Sequence, residues 1–187
     1  MATNRNILFS LFCIILCACP IGKGIGSNTD SLRLEIQKTY RAEAGVREAT
    51  GRNDGPRILE YQKAAKIPAG SPYCAAGITW TFKQHNIKTV VSGFSPNWFP
   101  DSITIYEKGK YMKQTPDIAD VLGLYIPAKG RIGHVGFIDQ NWNNGTPFIA
   151  SFEFNTNGAG SDDGDGNHFK RRLKSQIRKV SSPLSYL

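Results

Sequence analysis

Two alternating runs, GHVGFID and PFIASFEFN, flank an Asn144-Gly145 pair. An Asn-Gly dipeptide between such runs is the strongest short-range signal for a β-hairpin, because both residues tolerate the positive φ of a tight turn. With Asn144-Gly145 at the centre, His134 falls opposite Asn155, Gly136 opposite Glu153 and Ile138 opposite Ser151. Opposed residues share a sheet face a few ångströms apart. The reverse face pairs Val135 with Phe154 and Phe137 with Phe152, all apolar. A slip of one residue would set His134 against Phe154 and mix polar with aromatic on both faces, so the pattern itself selects the register. The chain must therefore bury one aromatic sheet face, and it carries a histidine beside an amide and a carboxylate on the other.

The patterning upstream is helical. Residues 30–44 place Leu32, Leu34, Ile36 and Tyr40 among charges, with Asp30 as cap and Gly45 as stop. Pro56 opens a second helix with Ile58, Leu59 and Tyr61 inward, and the Ile67-Pro68-Ala69-Gly70 segment ends it. In SPYCAAGITW, Ser71 reads as an N-cap and Pro72 as the first helical residue, which puts Cys74 at the third position. This third helix runs out near Asn86. Residues 92–100 form an aromatic, proline-rich loop, and strands are expected at 103–106, 121–126, 133–139 and 147–155. A Gly/Asp loop at 158–167 and a basic stretch at 170–174 lead into the final segment. Helices followed by antiparallel strands, with no internal repeat, predict an α+β fold in which N-terminal helices pack on a small antiparallel sheet.

The N-terminus reads as an export signal. Arg5 precedes an apolar or small-residue run at 7–18, too short to span a bilayer and right for a signal core. Residues 1–19 are thus expected to be a signal peptide, 20–29 a flexible tether and 30–187 one domain. Leu16-Cys17-Ala18-Cys19 resembles a lipoprotein box, which would make Cys19 the lipidated first mature residue and attach the protein to the outer membrane; the alternative is plain cleavage after Ala18. Cys13 and Cys17 leave with the signal, so the domain keeps a single internal thiol, Cys74. No intradomain disulfide can form, and a lone thiol in an oxidising compartment is a liability unless it has a task.

Cys74 sits at the positive end of a helix dipole, where the reactive thiolate is favoured. If that helix start meets the histidine face of the hairpin, His134 can take the thiol proton and return it to a leaving amine. Asn155, or else Glu153, would hold the imidazole in the right tautomer. His85, at a helix end, and His168, after a flexible loop, suit ordinary structural roles. Asp162, Asp163, Asp165 and Asn167 hint at calcium, but the loop lacks the glutamate and flanking helices of an EF-hand, and no metal or other cofactor is expected. With 23 Lys and Arg against 15 Asp and Glu, the net charge of +8 favours an anionic partner. Lys170 to Lys174 is the only basic run, which gives no footprint for nucleic acid.

The segments PYCAAGITW, DVLGLYI, GHVGFID and FEFNTN, in that order, resemble the CHAP family of cysteine, histidine-dependent amidohydrolases/peptidases, related to the NlpC-like cell-wall hydrolases. The likeness spans roughly residues 45–175. It implies a papain-like fold and cleavage of an amide bond in peptidoglycan, with Cys74 as nucleophile, His134 as base and Asn155 or Glu153 as third member. There are departures: Tyr73 stands where the family often has tryptophan, Phe154 where it often has glycine, and Ala119 where it has the glycine of a Gly-Asp pair. The expected protein is a monomeric, exported hydrolase, either of the cell envelope or periplasm or secreted. The competing expectations are a non-catalytic wall-binding module of the same fold and a cysteine protease acting on proteins. Tyr73, Phe94, Trp98 and Phe99 are candidate groove walls, and Asp54, in the Asn53-Asp54-Gly55 turn, is a candidate substrate contact.

Overall fold

In order, three helices are followed by seven strands: α1 (Gly26–Ala42), α2 (Pro56–Ala65), α3 (Cys74–Gln84), β1 (Thr104–Glu107), β2 (Lys110–Tyr111), β3 (Val121–Ile126), β4 (Arg131–Ile138), β5 (Phe148–Thr156), β6 (Gly166–Leu173) and β7 (Ile177–Ser181). The structure, a computed structural model, describes residues 26–158 and 163–185. The signal-peptide reading and Cys19 lie outside the described residues. α1 begins at Gly26, inside the stretch read as a tether, and Asp30 lies within the helix rather than at its cap. Among the described residues no helix is long and apolar enough to cross a membrane.

The strands form one antiparallel sheet in the order β2-β1-β7-β3-β4-β5-β6. The C-terminal strand therefore inserts between β1 and β3, and residues 170–173 of the basic stretch lie in edge strand β6. β4 and β5 pair Phe137 with Phe152 and Ile138 with Ser151, the register chosen by the alternation. The turn between them is longer than Asn144-Gly145 suggested. Residues 139–147 are irregular because Trp142 is drawn inward, where it stacks edge-on to Tyr106 and donates to the Tyr111 hydroxyl (2.9 Å).

Two cores result. Ile105, Leu122, Leu124, Ile138, Ile149 and Val180 form one within the sheet. The other lies between sheet and helices, and joins Tyr40, Tyr61, Ile78 and Phe82 to Val135, Phe137, Phe152 and Phe154. Tyr40 stacks on Phe137 with centroids 4.5 Å apart. Gly77 fixes the depth of α3: a Cβ there would lie 2.2 Å from the Phe154 ring. The helix carrying the cysteine thus rests on β5 through a glycine-aromatic contact, and the bulk of Phe154 is absorbed by the helix rather than set into the polar row of the strand.

Candidate active site

Cys74 is the first residue of α3, two places earlier in the helix than the Ser71 cap predicted. Ser71 makes no cap; its carbonyl accepts from Gln62 Nε2 (2.8 Å), which pins the α2–α3 connection and delays the helix. At this position the amide N–H of Cys74 is among those without an intrahelical partner. The thiol is 4% exposed, and Ser95 Oγ, on a 3-10 turn at Ser95–Trp98, lies 3.4 Å from Sγ. Burial alone would disfavour a thiolate, but the His134 ring beside it, the Ser95 hydroxyl and the Ala75 amide outweigh burial and hold the Cys74 pKa below its ordinary value.

β4 brings His134 to this point through a bulge. Leu124 pairs with His134 and Tyr125 with Ile132, so Gly133 is an extra residue in the strand. Bulges re-aim side chains and recur beside active sites. His134 Nε2 lies 2.9 Å from Glu153 Oε2. Nδ1 is buried and makes no hydrogen bond among the described residues, and Cys74 and Glu153 are the side chains that perturb the ring. The sulfur thus lies close enough to the imidazole to perturb it, yet no hydrogen bond joins the two side chains. Burial opposes a charged ring, yet the thiolate and Glu153 together raise the His134 pKa.

Glu153, not Asn155, orients the histidine. Its carboxylate is fully buried, and each oxygen takes two donors. Oε1 accepts from Ser151 Oγ (2.6 Å) and Arg172 Nε (2.8 Å); Oε2 accepts from Arg172 Nη2 (2.5 Å) and meets the His134 ring. All four acceptor positions of a carboxylate are therefore filled. Burial raises the Glu153 pKa, but Arg172 and then His134 more than reverse this and keep it an anion throughout the ordinary range. The room for its side chain comes from Gly136, where a Cβ would lie 2.5 Å from Glu153 Cγ.

Asn155 is displaced by a second bulge. The β5–β6 register shifts between Glu153 and Thr156, and Asn155 takes φ 54°. With its amide oriented to satisfy both ends, it donates to the Gly164 carbonyl (3.0 Å) and accepts from the Tyr73 N–H (3.2 Å). It therefore braces the residue before Cys74 and does not touch His134.

A cleft of about 450 Å³ opens over the thiol. Ile67, Pro68 and Val91 form an apolar side, Phe94 and Ser95 come from the start of the 3-10 segment, Lys129 from the turn before β4, and Arg131 and Gly133 from the start of β4. The proposed substrate contacts are not on it. Tyr73 is fully buried and stacks on Tyr61 at 6.0 Å. Trp98 is fully buried and stacks on Phe82 at 5.8 Å. Asp54 closes its own loop, accepting from the Thr50 N–H (2.9 Å) and hydroxyl (2.7 Å). All three serve packing or turn geometry. Among the aromatics expected as walls, Phe94 is the one in the cleft lining, and it is 47% exposed.

Ser95, Ser151 and Arg172 escaped the sequence reading. The signal for Arg172 was the alternation of NHFKRRL, which reads as a strand once its basic residues are not taken together as a surface run. Among the described residues no group of three or more His, Cys, Asp or Glu could hold a metal ion. Asp165 contacts His168 and Asn167 the Tyr61 hydroxyl, while Asp162 lies outside the described residues. Comparison with protein-family models, curated proteins and solved structures gave no match to this chain.

Proposed function

We propose that the protein is a cysteine-dependent amidohydrolase of papain-like fold that cleaves an amide bond in peptidoglycan. The observation that carries this is the line from Cys74, in the lining of a cleft, through His134 to a glutamate whose every acceptor site is filled. The Cys74 thiolate attacks the scissile carbonyl carbon, and the Cys74 N–H faces the oxygen as it gains charge. His134 gives its proton to the leaving nitrogen, the C–N bond breaks and a thioester remains. A water then loses a proton to His134 and attacks the thioester, which frees the acid and restores the thiolate. Glu153 holds the ring tautomer and supports the imidazolium without accepting its proton.

Peptidoglycan as the substrate rests on the export signal, the resemblance and the net charge of +8, which suits an anionic wall polymer. The test is digestion of purified sacculi. The wild type should release muropeptides with a new amine terminus, and Cys74→Ala should lower the rate at least about a thousandfold. Release unchanged by Cys74→Ala refutes the mechanism. Wall binding without release marks a non-catalytic module, and cleavage confined to intact proteins marks a protease.

A further inference from the structure

The cleft over Cys74 is electrically uneven. Among its described lining residues Lys129 and Arg131 are cationic, and Asp163 is the carboxylate. Arg131 is held for display. Its guanidinium lies 4.7 Å from the centroid of the Phe94 ring, and Nη1 donates to the Ile132 carbonyl (2.9 Å). It has no acidic partner among the described residues, unlike Arg33, Arg41, Arg57 and Arg172, each of which meets a carboxylate. A guanidinium has five N–H donors in a planar fork, so most of them remain for a ligand. Gly93 makes the arrangement compact: a Cβ there would lie 2.7 Å from Ile67, so only a glycine lets the Phe94 segment close against the apolar side.

Arg131 and His134 are three residues apart on β4, about 10 Å of strand at most. An anion gripped by Arg131 therefore lies within a residue or two of the bond facing Cys74. We propose that the cleft selects an anionic peptide, with Arg131 binding a stem-peptide carboxylate close to the scissile amide while Ile67, Pro68 and Val91 take an apolar part of the same chain. The location of the scissile bond rests on the amidohydrolase reading; the anion site itself does not.

The probes are muropeptides from purified sacculi, used as free acids and with every carboxylate converted to carboxamide. Binding is measured on full-length Cys74→Ala protein, so no turnover is needed. The free acid should bind about tenfold more tightly than the amide, the effect of one partly screened charge-assisted contact. Adding Arg131→Gln should erase the difference, and Arg131→Lys should keep part of it. Equal binding of acid and amide to the Cys74→Ala protein overturns the proposal before any Arg131 variant is made. A preference that survives Arg131→Gln also overturns it. In wild-type turnover the same preference should appear in KM rather than kcat. If the wild type cleaves neither probe but the binding preference holds, the hydrolase reading fails and the anion site stands.

Discussion

The two ends of the Cys74–His134–Glu153 line are built in opposite ways. At the carboxylate end nothing is left open: four donors fill the four acceptor sites of a fully buried Glu153, and Arg172 grips both of its oxygens. At the sulfur end almost everything is left open. Cys74 has one hydroxyl neighbour at 3.4 Å, and His134 Nδ1 makes no hydrogen bond among the described residues. A saturated anion is a fixed charge, because further change costs it hydrogen bonds. An unsaturated thiol and ring nitrogen can exchange a proton and accept a substrate atom. Rigidity has been placed where charge must stay and spare valence where chemistry can occur.

The comparison breaks most sharply at Glu153. Glu153→Gln keeps the shape but turns two N–H donors toward the donors of Arg172 and removes the charge supporting the imidazolium. Muropeptide release should fall about a hundredfold or more. Stability should drop by about 3 kcal/mol in denaturant titration, since a largely buried guanidinium loses its partner. A variant with full activity would show the carboxylate end to be mere packing. Next in size is the seat of the sulfur end. Gly77→Ala drives a methyl into the Phe154 ring and should cost about 1–3 kcal/mol. With Phe154→Ala present, the same change should cost much less, and simple additivity of the two would show that they do not touch. Smallest is Ser95→Ala, which removes the hydroxyl neighbour of the sulfur. It should slow release only a few-fold and leave stability nearly unchanged. A loss as large as that of Glu153→Gln would mean that the sulfur end is not open after all.

The line itself was largely legible in the sequence, and its margins were not. Alternation placed His134 and Glu153 on one row because register follows from burying Phe137, Phe152 and Phe154. Cys74 stood out as the single thiol of the domain at the start of an apolar helix. The third member stayed open between Asn155 and Glu153 because a bulge leaves no mark in a period-two pattern; φ 54° at Asn155 removes it from the row. The groove walls failed for a different reason. An aromatic near the thiol looks the same in sequence whether it faces solvent or core, and Tyr73 and Trp98 face the core. Arg172 was hidden by its neighbours, because a basic run resembles a solvated surface until pairing with β5 shows which of its residues turn inward.

The most direct test of the central claim is the rate at which iodoacetamide alkylates Cys74, followed by the mass of the Cys74 peptide across pH. An ordinary thiol loses reactivity as the pH falls below about 8.5. Because His134 holds the Cys74 pKa below its ordinary value, the wild-type rate should persist well under that point, and His134→Ala should move the curve up to the ordinary thiol range or above it, since the ring no longer offsets burial. A wild-type curve that already follows an unperturbed thiol, or one that His134→Ala leaves unmoved, would contradict the account.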